Sequence, residues 1–162
     1  GAFTLVYADL DNFKEYNDVH GFLMGDEMIR FCSAILKRFL TRLGPAARLG
    51  HLGGDDFVIV SRNNVDNKIL EEICETFDAE KSRYFTDEEI DKGSYTVTDR
   101  HGSERDVFLV TLSLSVLGNE NFLAAPHPAY LGQIASSIKK KVKKHNKKHG
   151  KSGYMVERRT HG

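Results

Sequence analysis

Short apolar runs closed by glycine or acidic residues alternate with longer stretches of helical period along this chain. Phe3 to Ala8 reads as a strand that carries Asp9 to its C-terminal edge, and Asn12 to Asp18 as a short helix or turn. From Gly25 to Arg42, Met28, Phe31/Cys32, Ile35 and Phe39 recur at helical spacing until Gly44-Pro45 stops the helix. Ala47 to Leu52 and Asp56 to Ser61 read as two strands joined by a Gly53-Gly54 bend. Val65, Ile69, Ile73 and Phe77 mark the next helix, after which Asp78 to Asp91 is acidic and carries no clear period. Tyr95-Thr96-Val97 and Val107-Phe108 flank a turn at Asp99-Arg100-His101-Gly102, which predicts a hairpin. A strand follows over Leu109 to Leu117, then a loop over Asn119 to Pro128. Leu131, Ile134/Ala135, Ile138 and Val142 predict a last amphipathic helix, and Tyr154-Met155-Val156 a closing strand.

This order of elements argues an α/β (α+β) fold, a mixed central β-sheet flanked by helices. The 162 residues make one domain, 1–162, large enough to bury a real core. The first strand starts almost at the first residue, which reads as a domain excised from a longer multidomain protein. Hydrophobic content of 40% and charged content of 28% are those of an ordinary globular protein. The formal net charge is zero, so no overall field draws the chain to nucleic acid or to a membrane, and no apolar run approaches a membrane span. The lysine-rich stretch from Lys139 to Lys151 lacks interleaved aromatics and reads as a solvated helix face rather than a nucleic-acid patch. Cys32 and Cys74 sit inside helical patterns and read as buried free thiols, which fits a reducing, cytoplasmic setting.

The candidate chemistry lies in two acidic clusters, each at a strand end. Asp9-Leu10-Asp11 follows the first strand, and Gly53-Gly54-Asp55-Asp56-Phe57 opens another. Alone, the second reads equally as a hairpin with a solvated acidic tip. Two clusters that converge would offer oxygen ligands to a hard divalent cation.

With Asn12-Phe13-Lys14, Asn17-Asp18, Gly21 and Gly25-Asp26-Glu27 added, the chain resembles the GGDEF family from about Thr4 to Arg159. Active members are diguanylate cyclases, which join two GTP molecules into cyclic di-GMP. The resemblance implies a palm-like sheet shared with nucleotidyl cyclases and some polymerases. It places Mg²⁺ or Mn²⁺ on Asp9, on the Leu10 carbonyl and on Asp55. Asp56 falls on the catalytic proton acceptor, and Lys14 on the lysine that stabilises the phosphates. Asn17 and Asp26 fall on the pair that hydrogen-bonds the guanine edge. Asn12, Phe13 and Gly54 fall at the bound substrate, and Lys147 and Lys151 on the basic residues that reach the triphosphate. Turnover in the family needs a homodimer.

Taken singly, Asp26 also reads as a carboxylate favoured by a helix N-terminus, Asn17-Asp18 as a turn and Lys14 as a solvated lysine. Three departures stand out. Asp56 replaces the usual Glu and is one methylene shorter. Gly21-Phe22 stands where the family reads Gly-His. Gly44-Pro45-Ala46-Ala47 lacks the Arg and Asp of the product-inhibition site. The insertion around Phe85 to Gly102, Thr111-Leu112-Ser113-Leu114-Ser115 and Val156-Glu157-Arg158-Arg159 resemble GGDEF domains at the end of proteins with EAL and CBS domains. Three functions follow as expectations: a diguanylate cyclase slowed by Asp56; a non-catalytic GTP-binding module that regulates a tethered EAL phosphodiesterase; and an unrelated metal-dependent nucleotidyl transferase on a palm fold.

Overall fold

A computed structural model describes residues 2–124 and 127–157. Its main sheet has five strands in the order β2-β3-β1-β6-β7. These are β1 (Thr4–Asp11), β2 (Arg48–Gly53), β3 (Asp56–Ser61), β6 (Thr111–Gly118) and β7 (Gly153–Val156). All pairs are antiparallel except β6 with β7, so the sheet is mixed, as the pattern predicts. A second sheet is the hairpin of β4 (Ser94–Thr98) and β5 (Glu104–Phe108).

Alternation along β1 sets the two faces of the sheet. Val6, Ala8 and Leu10 point into the main core, with Met28, Phe31 and Ile35 of α2 (Phe22–Phe39) and Ile73 and Phe77 of α3 (Asn67–Glu80). α1 (Phe13–His20) adds Phe13 and Tyr16 to this side. On the opposite face, α6 (Pro128–His149) lays Ile134 and Ala135 against Leu117, Leu5 and Tyr7. Burying each large apolar side chain contributes about 1.5–3 kcal/mol, and this two-sided burial is what fixes the strand register.

Four differences from the sequence reading stand out. β1 does not stop at Ala8 but runs through Asp11, because β3 and β6 pair with it on both sides and β6 reaches Thr111 opposite Asp11. α2 starts at Phe22, a turn before Gly25. Part of the Asn119–Pro128 stretch is a short helix, α5 (Asn119–Ala124). The acidic stretch after Phe77 holds α4 (Asp87–Lys92), whose first turn closes in a capping box: Thr86 Oγ1 accepts from the Glu89 N–H, and Glu89 Oε1 accepts from the Thr86 N–H. Glu89 also pairs with His20 of α1 at 2.8 Å, and the His20 ring stacks on Tyr16 at 4.3 Å. The hairpin region is thereby tied to α1. Arg158 and Arg159 lie outside the described residues.

Both cysteines are free and buried, as their helical spacing predicts. Burial pushes both thiols up, Cys74 to about 12 with the carboxylates of Asp78 and Glu75 adding to it. Neither is a thiolate near neutral pH, so neither is a nucleophile there. We expect no reaction with a thiol-specific reagent in the native protein at pH 8 and two equivalents in denaturant. Native-state labelling as fast as in denaturant would contradict the packing.

Candidate functional site: two carboxylates under a lysine-bearing helix

Asp9 and Asp11 are two residues apart in β1, so they share the face covered by α6. Asp9 stands opposite Asp56 of β3 on one side and Ser113 of β6 on the other. Both carboxylates are buried, with 5% and 3% of their surface exposed. A carboxylate buried this far is costly unless it is matched by donors or cations. The two are matched very differently.

Asp11 is saturated. It accepts from Thr111 Oγ1 and Ser113 Oγ at 2.7 Å, and from Asn146 Nδ2 and Lys143 Nζ at 3.0 Å. It acts as the hub that ties β1, β6 and α6 together. In Asp9, Oδ2 is 3.8 Å from Lys139 Nζ and 4.0 Å from Lys143 Nζ. Its Oδ1 is buried and has no hydrogen-bond partner. Lys139 in turn lies 4.5 Å from the centre of the Tyr7 ring, two residues before Asp9.

The Gly53-Gly54 bend brings the second cluster to the first. Both glycines have positive φ, +121° and +54°, and β2 bulges against β3 between His51 and Gly53. His51 Nε2 lies 2.8 Å from the Gly54 carbonyl, and its ring stacks on Phe57 with centroids 4.6 Å apart. The Leu10 N–H donates to the Asp55 carbonyl at 3.2 Å. Asp9, Leu10, Asp55 and Asp56 therefore meet at one end of the β1–β3 pair, with Asp55 and Asp56 half-buried. Among the described residues, no group of three or more His, Cys, Asp or Glu side chains is arranged around one point to hold a metal. A hard cation would instead have to be held by the aspartates and backbone carbonyl oxygen at this strand end, and the unpartnered Asp9 Oδ1 fits such a role.

The remaining predicted residues fall around this centre to different extents. Lys147 lines an open hollow with Asp11, Asn12, Glu15, Lys140, Lys143 and Lys144, a cationic floor beside the acidic end of β1. Lys151 does not join it; it lines a separate hollow with Glu75, Asp78 and Lys81 beyond the end of α6. The chain turns at Gly150, φ +64°, which carries Lys151 off the helix axis. Lys14 is exposed and borders a third hollow, beside Asp18, Asp99, Arg100 and Arg105. Asn12 is left-handed, φ 60°, and Nδ2 donates to the Phe108 carbonyl at 3.4 Å. Phe13 is a core side chain at the first turn of α1, so only its backbone could contact a bound molecule. Asn17 stands on α1 with a buried, unpartnered Oδ1, and Asp26 is exposed on the first turns of α2. Gly54 is exposed at the hairpin tip.

Lys139 and Lys143 were not among the residues singled out from the sequence. Their signal was there: they are four apart and follow directly on the buried Ile138 and Val142, so they flank the apolar stripe of α6. Glu15 was missed as well. Burial would raise its pKa, but its own backbone N–H, the 3.0 Å contact with Arg105 and the charge of Lys147 outweigh that and hold it below the usual glutamate range. At the positions where the resemblance would place the Arg and Asp of the product-inhibition site, Gly44 has φ +129° and an added Cβ would stand 2.0 Å from Asn63 Nδ2, while Ala47 is buried.

The profile of the family described as "Diguanylate cyclase, GGDEF domain" matches residues 1–104. The chain belongs to the GGDEF family. Among curated relatives, it is 41% identical over 59 residues to the cyclic di-GMP phosphodiesterase PdeR of Escherichia coli K12, covering 36% of this chain and 8% of that protein. It is 34% identical over 65 residues to the diguanylate cyclase DgcS of Shewanella oneidensis, covering 40% of this chain and 21% of DgcS. The matches thus span a small part of each relative. The structure of the active GGEEF domain of a diguanylate cyclase from Vibrio cholerae superposes with a TM-score of 0.62 at 18% identity, over 98% of this chain and 84% of that one. The GGDEF domain of DgcB from Caulobacter crescentus, solved with c-di-GMP, gives 0.58 at 19% identity, over 96% and 77%. The palm-like mixed sheet is therefore the family fold. Among the described residues, no helix of this GGDEF domain is long and apolar enough to cross a membrane.

Proposed function

We propose that this GGDEF domain binds GTP with Mg²⁺ or Mn²⁺ and, as a homodimer, joins two GTP molecules into cyclic di-GMP. The observation that carries the reading is the buried, unpartnered Asp9 Oδ1, in register with Asp56 and beneath the lysines of α6. Asp9, the Leu10 carbonyl and Asp55 would hold the cation, which when bound withdraws charge from the phosphates. Asp56 takes the proton of a 3′-hydroxyl as that oxygen bonds to the α-phosphorus of the facing GTP and pyrophosphate departs. Two such transfers close the ring. Lys143 and Lys147 stand where triphosphate charge would lie, and the first turn of α1 at Asn12 and Phe13 offers backbone N–H groups. Lys14 is proposed for the phosphates by resemblance.

Asn17 and Asp26 would read the guanine edge, whose N1–H and N2–H₂ are donors that a carboxylate accepts and adenine does not match. We expect Asp26→Ala to weaken GTP binding by roughly 1–3 kcal/mol. Equal affinities of the parent chain for GTP and ATP by calorimetry would remove this assignment.

One feature favours a second reading, a GTP-binding module without turnover that regulates a tethered EAL phosphodiesterase. Asp56 is one methylene shorter than glutamate, and a base must lie within hydrogen-bond reach of its proton. The deciding experiment incubates the chain with GTP and Mg²⁺ and assays cyclic di-GMP, with Mg-GTP binding measured in parallel. Product supports the cyclase; binding without product supports the regulatory module; no Mg-GTP binding overturns both.

A further inference from the structure

Gly25 is not where glycine is needed for backbone reasons. It lies inside α2, and it is absent from the residues with positive φ. Glycine at such a position weakens a helix relative to alanine. Space accounts for it. A Cβ on Gly25 would stand 1.7 Å from Asn17 Oδ1 and 2.9 Å from its Cγ, while the next atom, Phe13 Cζ, is at 3.4 Å. The Asn17 amide is thus seated directly on the bare backbone of Gly25, where α1 meets α2. Its Oδ1 is buried there without a hydrogen-bond partner. Among the described residues nothing donates to that oxygen, so its close contact with Gly25 is what places it.

We infer that Gly25 is a positioning residue that sets base selectivity by seating the Asn17 amide. The inference rests on the reading of Asn17 as a guanine contact, and it adds the residue that makes that contact possible. The physical consequence is unusual for a glycine in a packed helix. The atoms that a methyl group would strike are the far end of one side chain, not backbone, so Gly25→Ala displaces the Asn17 amide and leaves the two helices where they are. Helix propensity moves the other way. The substitution therefore separates stability from recognition: the fold holds or gains while the base contact is lost. Asp26, the next residue on α2, keeps its place and still meets the base, so binding is weakened and not abolished.

The test is a double-mutant cycle on the 162-residue chain with Gly25→Ala, Asn17→Ala and both together. It reads Mg-GTP and Mg-ATP affinities by calorimetry, thermal stability, and the side-chain amide signals of Asn17 by NMR without nucleotide. We expect Gly25→Ala to melt at or above the parent temperature, to shift the Asn17 amide signals, and to lower the GTP-to-ATP preference roughly 3- to 10-fold, the worth of one hydrogen bond. Asn17→Ala should lose the same preference, and the double variant no more than either alone. An unchanged preference in Gly25→Ala, unmoved amide signals, or losses that add in the double variant would each overturn the inference. If Asn17→Ala itself leaves the preference intact, the guanine reading of Asn17 falls, and the selectivity role of Gly25 falls with it, even where the amide signals move.

Discussion

Asp56→Asn is expected to lower cyclic di-GMP formation by about 10²- to 10⁴-fold, the range of general acid–base effects, while Mg-GTP binding persists. The amide keeps the shape of the side chain and removes its capacity to take a proton. Asp56 opens β3 opposite Asp9, and it is half-buried, so the substitution leaves no orphaned charge behind. Asp56→Glu should hold or raise the rate, since it restores the longer reach. In the proposed reaction two GTP molecules face one another, so forcing the chain to dimerise should also raise the rate. These measurements divide the two readings. Product formation unaffected by Asp56→Asn would contradict the catalytic role. A forced Asp56→Glu dimer that binds Mg-GTP and still makes no product would favour the regulatory one.

The second large effect is at Asp9. Asp9→Asn should remove metal-dependent GTP binding, a loss greater than the ~10–100-fold that removing an outer-shell partner of a metal costs. The fold should survive. Asp9 lies inside β1 near its C-terminal end and is buried, but Asn preserves its shape, and Asp11 carries the structural hydrogen bonds of this region. Circular dichroism should be unchanged while titration with Mg-GTP is flat. A variant that binds Mg-GTP as tightly as the parent would show that Asp9 is not a ligand. Asp11→Asn offers the contrast: an amide cannot accept from four donors as a carboxylate does, so its cost should appear in stability first.

That contrast was not legible in the sequence. Asp9 and Asp11 are chemically identical neighbours on one face of a strand, and only the positions of Thr111, Ser113 and Asn146, about a hundred residues or more further on, tell them apart. β1, β3 and β6 were legible because alternate apolar residues mark a buried face in each, and Gly53-Gly54 marked the bend because their positive φ excludes most other residues. The end of β1 was misplaced for the opposite reason: Asp9 and Asp11 are polar, and pattern assigns polar residues to loops even where a neighbouring strand pairs with them. α4 escaped because its residues are nearly all charged, although Thr86-x-x-Glu89 announces its cap. The lysines were legible as a charged face but not as individuals. Lys139 and Lys143 differ from Lys140 and Lys144 by a fraction of a helical turn, and Lys151 lies beyond a left-handed glycine that redirects the chain.

The nearness of Lys139 and Lys143 to the carboxylates of β1 means that this domain carries its own counter-ions. The sheet brings Asp9 and Asp11 together out of water, and α6 supplies ammonium groups within 4.0 Å of both. On the proposed reading, a cation at the free Oδ1 of Asp9 would meet a carboxylate whose charge is already partly balanced instead of a bare negative well. The charge that the fold must tolerate around Asp9 and Asp11 is therefore already small without any bound ion. Lys143 also lines the basic hollow, so one helix would meet both the proposed cation and the proposed polyanion.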